Sequence, residues 1–232
     1  AGALVDALPY MNEYPYGCTE QTLNRFLPTV LTQNVLTRMG ISLKDVREKL
    51  TNLNAQEIGD DKERAKQWQR YARNPVFDES TLKDMVKQGV EKLANMQCAD
   101  GGWGWFSGWG EQSYPHTTAY VVHGMQVARA NDVQLEPNML DRGILWLKNH
   151  QAREVQMIKN GATETKPYKK VADNLDGFVY MVLADAGQEN VEMREFLYRD
   201  RNHLAVYTKA MFGLALHKLN HKEQRDMLIQ NV

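Results

Sequence analysis

Cys18 and Gln21, three residues apart, are the residues of this sequence whose types and spacing could do chemistry. Pro15 and Gly17 favour a tight, non-helical lead-in, so a helix is predicted to begin near Thr19. Cys18 would then lie at the N-terminus of the helix, where the dipole and the free amide groups stabilise a thiolate. A spacing of three puts Gln21 on the same side, one turn along. The thiol sulfur could therefore reach the side-chain carboxamide carbon.

The nine residues around this pair resemble the thioester motif of the alpha-macroglobulin and complement family; they read Tyr14-Pro15-Tyr16-Gly17-Cys18-Thr19-Glu20-Gln21-Thr22. Animal members usually carry Gly-Cys-Gly-Glu-Gln, and bacterial members often vary the residue after the cysteine. Three further segments look like bacterial members. They are Leu8-Pro9-Tyr10-Met11, Pro28-Thr29-Val30 and Thr118-Ala119-Tyr120-Val121-Val122. The resemblance covers most of residues 4–190 and is strongest over 8–30 and 97–125.

This resemblance implies that Cys18 Sγ is joined to the former carboxamide carbon of Gln21 with loss of ammonia. A thioester is an activated acyl group, because a thiolate leaves far more readily than an amide nitrogen. The resemblance thus implies the covalent capture module of a broad-spectrum protease inhibitor, which acts once and is not an enzyme. Its implied partners are target proteases and neighbouring domains of the same polypeptide, and it implies no cofactor and no metal.

A thioester must be kept from water until it is used, and nearby apolar side chains would slow its hydrolysis. The candidates for this cover are Tyr10, Met11, Tyr14 and Tyr16. The same side chains could equally be ordinary core residues around a helix start, and both interpretations can hold together. In the family, a neighbouring domain completes the shield.

Some complement members use a downstream histidine to pass the acyl group to hydroxyls. This sequence has no histidine between residues 151 and 202, the stretch that we align with that histidine. Lys169, Lys170, Asp173 and Asn174 occupy it instead. Direct attack by lysine amines is therefore the expected reaction.

Hydrophobic residues recur every three and four positions in 82–96, 117–130 and 139–147, which predicts helices, and the earlier stretches 21–39, 43–58 and 61–73 are rich in polar residues but compatible with helices. Residues 171–186 and 204–216 are apolar nearly all round, as helices buried on several sides would be. Alternating strand patterns of useful length are missing, so we predict an all-α protein. Predicted helices cover 21–39, 43–58, 61–73, 82–96, 117–130, 139–147, 171–186 and 204–216, and 222–232 is helical in character.

Short turns between these segments predict antiparallel helical hairpins. Residues 90–97 resemble residues 144–151, and such a repeat suggests stacked hairpins that close into an alpha/alpha toroid. We expect one thioester-containing toroid domain over residues 1–232. It is expected to be incomplete at its C-terminus and to be a piece of a larger multidomain protein.

Glycines and tryptophans alternate over residues 97–110, which read QCADGGWGWFSGWG. This pattern resembles a structural repeat of toroidal folds, and we interpret it as a corner at a helix end in which Asp100 ties down backbone amides. The alternative is an aromatic platform for a carbohydrate or another ligand.

Other candidate positions have structural interpretations. His116 and His123 could share a helix face; a metal site would need a third ligand, so ordinary partly buried histidines are favoured. Cys98 is expected to be a buried thiol, although a disulfide with Cys18 is possible. The stretch Asp173-Asn174-Leu175-Asp176 is better interpreted as a helix cap than as a cation site.

Composition narrows the classes of function. The formal net charge is −1, which argues against nucleic-acid and anionic-membrane binders, since these carry a basic excess. No apolar run approaches the roughly 20 residues that span a bilayer, so no membrane insertion is expected.

Two alternatives to the capture module remain open. One is a toroidal enzyme of the terpenoid cyclase or prenyltransferase type, and the other is a helical scaffold with no thioester. The family resemblance implies a periplasmic or cell-envelope location, with a lipid anchor as one option in a preceding region.

Overall fold

The computed structural model describes residues 8–9, 11, 17–41, 74–107 and 110–230, and all structural statements below concern these residues. Short 3₁₀ turns lie at Pro75–Phe77 and Arg201–His203. The helices are α1 (Thr19–Arg38), α2 (Glu79–Met96), α3 (Pro115–Ala130), α4 (Met139–Asn160), α5 (Asn174–Asp185), α6 (Val191–Arg199), α7 (Val206–Lys218) and α8 (Lys222–Ile229).

The all-α prediction is confirmed. In the described ranges there is no strand, only an isolated antiparallel bridge between Gln97 and Trp103. Successive helices pack together, α4 against α5 and α7 against α8, while α5 also contacts α6 and α7. This pairing is consistent with an alpha/alpha toroid of helical hairpins. The helices predicted over 43–58 and 61–73 lie outside the described residues, and α6 was not predicted.

The chain divides into two compact units, which we describe separately. Unit 1 consists of Ala1–Asn95 and Val127–Leu135, and it contains α1 and nearly all of α2. Unit 2 consists of Met96–Gln126 and Glu136–Val232, and it contains α4 to α8. The expectation of one domain over residues 1–232 stays a prediction.

Helix α1, in unit 1, is bounded by local signals. Cys18 takes the N-cap position with extended backbone angles, as the lead-in through Gly17 predicted. At the other end, Gly40 adopts a left-handed conformation with φ +70°, and Ile41 N–H donates to Leu36 O at 3.0 Å. This closing turn satisfies carbonyls that the helix leaves unpaired.

Helix α5 is the centre of unit 2. All of its residues from Asp176 to Ala184 are buried, in agreement with its uniformly apolar sequence. Gly177 lets α7 approach closely, because a Cβ at this position would clash with the Thr208 side chain.

The expectation that helix α7 would be buried on several sides is wrong. Val206, Tyr207 and Leu214 are each about three-fifths exposed, whereas Phe212 and Leu216 are fully buried. The helix therefore buries only one face, and burial of an apolar residue depends on whether a neighbouring helix covers it.

Candidate functional site

Cys18 and Gln21 meet at the start of α1 in unit 1. Cys18 is the N-cap residue, Gln21 lies at the third helical position, and the two form a capping box. The Cys18 backbone N–H donates to Gln21 Oε1 at 3.2 Å. The predicted placement of the cysteine is confirmed, and the carboxamide of Gln21 is folded back onto the residue that carries the thiol.

The chemistry open to this arrangement is acyl transfer between the Gln21 carboxamide carbon and the Cys18 sulfur. The first amide groups of a helix have no intrahelical acceptor, and the dipole adds positive potential there. Negative charge that develops on sulfur at this position is therefore stabilised. Cys18 is half-buried, so water reaches it only in part.

Several side chains in the first two turns of α1, next to Cys18 and Gln21, are buried. Thr19 and Thr22 are buried in the first turn, and Leu23 and Phe26 are buried in the next. Phe26 packs where a Cβ of Gly89 would lie, so α1 and α2 approach closely at that glycine. The contact of Phe26 with Gly89 thus joins α1 and α2 about two turns beyond Cys18.

A lysine that the sequence analysis did not single out lies beside the motif. Lys92 Nζ occupies the place that a Cβ of Gly17 would take, directly before Cys18 in the chain. Lys92 also lines, with Thr22 and Arg25, a small cavity of about 120 Å³ between α1 and α2. Nothing in the local sequence signals this neighbour, because only the packing of α2 against α1 brings it there.

The residues proposed to cover the thioester are mostly outside the described residues. This applies to Tyr10, Tyr14 and Tyr16. Met11 is described and half-buried, and Leu8 before it is buried with 3% exposure. The proposed cover by these four side chains stays a prediction.

The stretch aligned with the complement histidine lies in unit 2 and is held by ion pairs and caps. Lys169 Nζ lies 2.6 Å from Glu154 Oε2, 2.5 Å from Asp176 Oδ2 and 3.2 Å from Asp173 Oδ2. Burial acts to lower the pKa of Lys169, but these carboxylates outweigh it and raise that pKa. Burial raises the pKa of Asp176 to about 6, against the opposing effect of the Lys169 ammonium. Lys169 is therefore a partly buried, charged structural group.

The interpretation of Asp173 as a helix cap is confirmed. Asp173 Oδ1 accepts hydrogen bonds from the N–H groups of Leu175 at 2.9 Å and Asp176 at 3.1 Å. Asp176 Oδ2 accepts in return from the Asp173 N–H at 2.9 Å, which completes a capping box at the start of α5. The neighbouring Asn174 Oδ1 accepts from Ala205 N–H at 2.9 Å.

The tryptophan and glycine segment forms a corner, as interpreted from the sequence. Asp100 accepts hydrogen bonds from Gly102 N–H at 3.1 Å, from Ser113 Oγ at 2.6 Å and from Trp146 Nε1 at 2.8 Å. Trp103 is fully buried, while Trp105 is about half exposed. Asp100 thus ties the turn both to itself and to α4.

The two cysteines are free, so they form no disulfide with each other. Cys98 is half-buried rather than buried, and that expectation is wrong. Cys98 lies in the turn after α2, next to the exposed residues Ala99 and Asp100, and its N–H donates to Gly102 O at 2.8 Å.

His116 and His123 share a face of α3, as predicted. Both rings pack against Phe178, with centroid distances of 5.9 and 6.3 Å. They line a largely apolar cavity of about 470 Å³ together with Tyr120 and Met181. Burial lowers the pKa of His123, although Asp185 nearby acts to raise it. His123 therefore fits the interpretation as a packed, partly buried histidine. For His116 that expectation is wrong, because this ring contacts Phe178 but the residue is exposed.

Within the described ranges, no three His, Cys, Asp or Glu side chains are grouped so that they could hold a metal ion. None of the helices there combines the length and apolar character that crossing a membrane requires.

No protein-family model matches the chain. The curated alpha-2-macroglobulin of Thermotoga maritima is 28% identical over 145 residues, which make up 62% of this chain and 7% of that protein. The structure of Salmonella alpha-2-macroglobulin reacted with methylamine matches 98% of this chain and 12% of its own, with 18% identity and a TM-score of 0.62. The trypsin-activated Escherichia coli protein matches 94% of this chain and 13% of its own, with 19% identity and a TM-score of 0.55.

The fold and the site together define an all-α protein that presents a cysteine and a glutamine in the first turn of a helix. The comparisons confirm the resemblance that was inferred from the motif. The chain is similar to a thioester-domain-like region of alpha-macroglobulin family proteins. The chain spans about 7% of the length of the curated relative that it matches.

Proposed function

We propose that this chain is the covalent capture module of an alpha-macroglobulin-like protease trap, with an internal thioester between Cys18 Sγ and the side-chain carbonyl carbon of Gln21. One observation carries the proposal. The Gln21 carboxamide is turned back onto Cys18, with its oxygen 3.2 Å from the Cys18 backbone nitrogen. Sulfur and acyl carbon are thus held in one turn of α1, which favours an intramolecular reaction.

The proposed chemistry has two steps. Attack of the Cys18 thiolate on the Gln21 carboxamide carbon expels ammonia and leaves the thioester. An external nucleophile then attacks the same carbon, forms a stable bond to it and releases Cys18 as a thiol. Because no step removes the acyl group from its new partner, each molecule reacts once and the module is not a catalyst.

Lysine amines of an attacking protease are the proposed nucleophiles. The Salmonella relative was reacted with methylamine, which supports amines as the nucleophiles, and the Escherichia coli relative was activated by trypsin, which supports proteases as the partners. In this chain, Lys169, in the stretch aligned with the complement histidine, is committed to three carboxylates. Neighbouring domains of the same polypeptide are the other proposed partners, and the bacterial relatives support a periplasmic or cell-envelope location.

Mass spectrometry tests the thioester directly. The purified protein should be lighter than its sequence by one ammonia, and iodoacetamide should label Cys98 but not Cys18. Methylamine should then add to Gln21 and make Cys18 available to the same reagent. The matched control is Gln21→Ala, in which Cys18 should be labelled from the outset without methylamine.

A full sequence mass, with Cys18 labelled as fast as in Gln21→Ala, would show a helical scaffold without a thioester. That result would remove the capture function from this chain. It would leave the fold and the family resemblance unchanged.

A further inference from the structure

Lys92 lies at an unusual place for a surface lysine. It is exposed near the C-terminal end of α2, yet its side chain runs back so that Nζ stands against Gly17. Its Cε lies 3.2 Å from the position that a Cβ of Gly17 would take. Within the described part of the chain, no carboxylate forms an ion pair with this ammonium group.

The acyl donor approaches the same peptide unit. Gln21 Oε1 accepts a hydrogen bond of 3.2 Å from the N–H of Cys18, the group that follows Gly17 directly. The amine of Lys92 and the carboxamide of Gln21 therefore lie beside two adjacent residues, Gly17 and Cys18. A lysine side chain has four flexible methylene groups, so a rotamer change can move Nζ toward the carboxamide.

We propose that Lys92 is an internal acceptor of the Gln21 acyl group, so that an unused thioester discharges into an isopeptide bond between Gln21 and Lys92. The proposal rests on the thioester proposed above. In the step, the neutral Lys92 amine attacks the Gln21 carbonyl carbon, a C–N bond forms and the C–S bond breaks. One proton passes from nitrogen to sulfur, and Cys18 is released as a thiol. No co-reactant is consumed.

Chemistry explains why this reaction is slow enough to allow capture of an external partner. Only a neutral amine is nucleophilic, so a lysine ammonium must lose a proton before it can attack. The amine is nevertheless held beside its target, where an intramolecular group reacts as if it were very concentrated. Protonation of the amine slows the internal transfer and proximity speeds it, so the thioester stays reactive toward external partners for a limited period.

The alternative to acyl transfer is that Lys92 acts only as a positive charge beside the motif. The two roles predict different results for an arginine at this position. Arginine keeps the charge and a long stem that can line the cavity between α1 and α2, but its guanidinium does not act as a nucleophile at neutral pH. Lys92→Arg therefore separates acyl transfer from charge and packing. Lys87, an exposed lysine of the same helix, supplies the matched control Lys87→Arg.

The experiment starts from protein of residues 1–232 whose mass already shows the loss of one ammonia. This protein is stored at mildly alkaline pH without any amine. We expect Cys18 to become available to iodoacetamide while the mass deficit of one ammonia remains. Tryptic digestion should then yield the Gln21 and Lys92 peptides joined as one species, with no cleavage after Lys92. The control Lys87→Arg should give the same joined peptides. In Lys92→Arg the joined peptides should be absent, and release of the Cys18 thiol should be accompanied by the gain of one water, because only hydrolysis opens the thioester.

Other outcomes overturn the proposal in distinguishable ways. If wild-type thiol release is always matched by the gain of one water, the internal transfer is wrong and the proposed thioester stands. If the joined species persists in Lys92→Arg, another lysine is the acceptor. If no ammonia is lost at the outset, both the internal transfer and the proposed function fail together.

Discussion

Lys169 and Asp176 form an ion pair of 2.5 Å in which the aspartate side chain is 2% exposed and the lysine side chain 17% exposed. The same ammonium also contacts Glu154, so one lysine neutralises charges from the end of α4 and the start of α5. A buried charge that loses its partner is costly, because neither water nor an opposite charge compensates it. The stability of unit 2 should therefore depend on Lys169.

Lys169→Met should lower the free energy of unfolding by about 3 kcal/mol, since it leaves Asp176 and Glu154 unpaired in a poorly solvated site. Urea unfolding at pH 7 measures the change. The control is Lys170→Met, which removes an exposed ion pair with Glu164 and should cost at most about 0.5 kcal/mol. Equal losses in the two variants would contradict the assignment of Lys169 as a structural group.

In mild acid, the partly buried His123 and the buried His150 should each lower the stability of the folded state, against the opposite contribution of Asp176, whose raised pKa favours the folded state there. Burial lowers the pKa of each below the ordinary value of 6.5. Well above pH 6.5 these rings are neutral in the folded and in the unfolded state, so their full contribution to the free energy of unfolding is present. As the pH falls below 6.5, the unfolded chain binds protons first, and the folded state loses stability. Urea unfolding at several pH values from 7 to 5 should show a smaller loss in His123→Gln than in the wild type.

The double variant His123→Gln, His150→Gln should show a smaller loss still. An unchanged loss in both variants would mean that these rings are not shielded from water as described. Comparing the pH profiles rather than single values separates the titration from any constant cost of substitution.

Two helical glycines make a matched pair for packing. Alanine is the better helix former by about 1 kcal/mol, so Gly→Ala stabilises where there is room. At Gly143 the new Cβ would lie 2.7 Å from Val122 Cγ2 and 2.8 Å from the ring of buried Trp103, and overpacking costs about 1–3 kcal/mol. Gly143→Ala should therefore destabilise the protein by about 1 kcal/mol after the helix gain, as measured by urea unfolding.

The control is Gly213→Ala, where the nearest atom to the new Cβ would be Leu228 Cδ2 at an ordinary 3.7 Å. This variant should be more stable than the wild type by about 0.5–1 kcal/mol. A stabilising effect of the same size at Gly143 would contradict the close packing of Trp103 on α4.

Cys18→Ser should separate the structural role of the N-cap from the proposed chemistry. Serine is a preferred N-cap residue, so the free energy of unfolding should stay within about 1 kcal/mol of the wild type. Incorporation of methylamine, followed by mass spectrometry, should be abolished because no activated acyl group forms. Cys98→Ser, which changes the other cysteine, should incorporate methylamine like the wild type. Loss of incorporation there would point to a general effect of cysteine replacement.

Local features of this fold were predictable from neighbouring residues. Helix α1 starts where Gly17 and Cys18 end the lead-in, and Asp173 caps α5 through its own backbone neighbours. Such caps depend on residues within about four positions of each other, so the sequence contains all the interacting partners. The same is true of the Cys18 and Gln21 pair, whose spacing alone placed both groups in one turn.

Features that depend on long-range packing were not predictable in this way. The half-buried thiol of Cys98 and the exposed face of α7 both differ from the expectations, because burial depends on which distant segment covers a side chain. The apolar residues of α7 look alike in the sequence, but only those that face α5 and α8 are buried.

By itself, the sequence determined the all-α class, the start of α1 and the pairing of a thiol with a carboxamide in one helical turn. Each of these follows from periodicity and capping, which act over a few residues. Only the tertiary structure decided that Lys92 stands against Gly17 and that Lys169 is enclosed by carboxylates from α4 and α5. These contacts join residues distant along the chain, and their energy depends on distances and on exclusion of water that only helix packing sets.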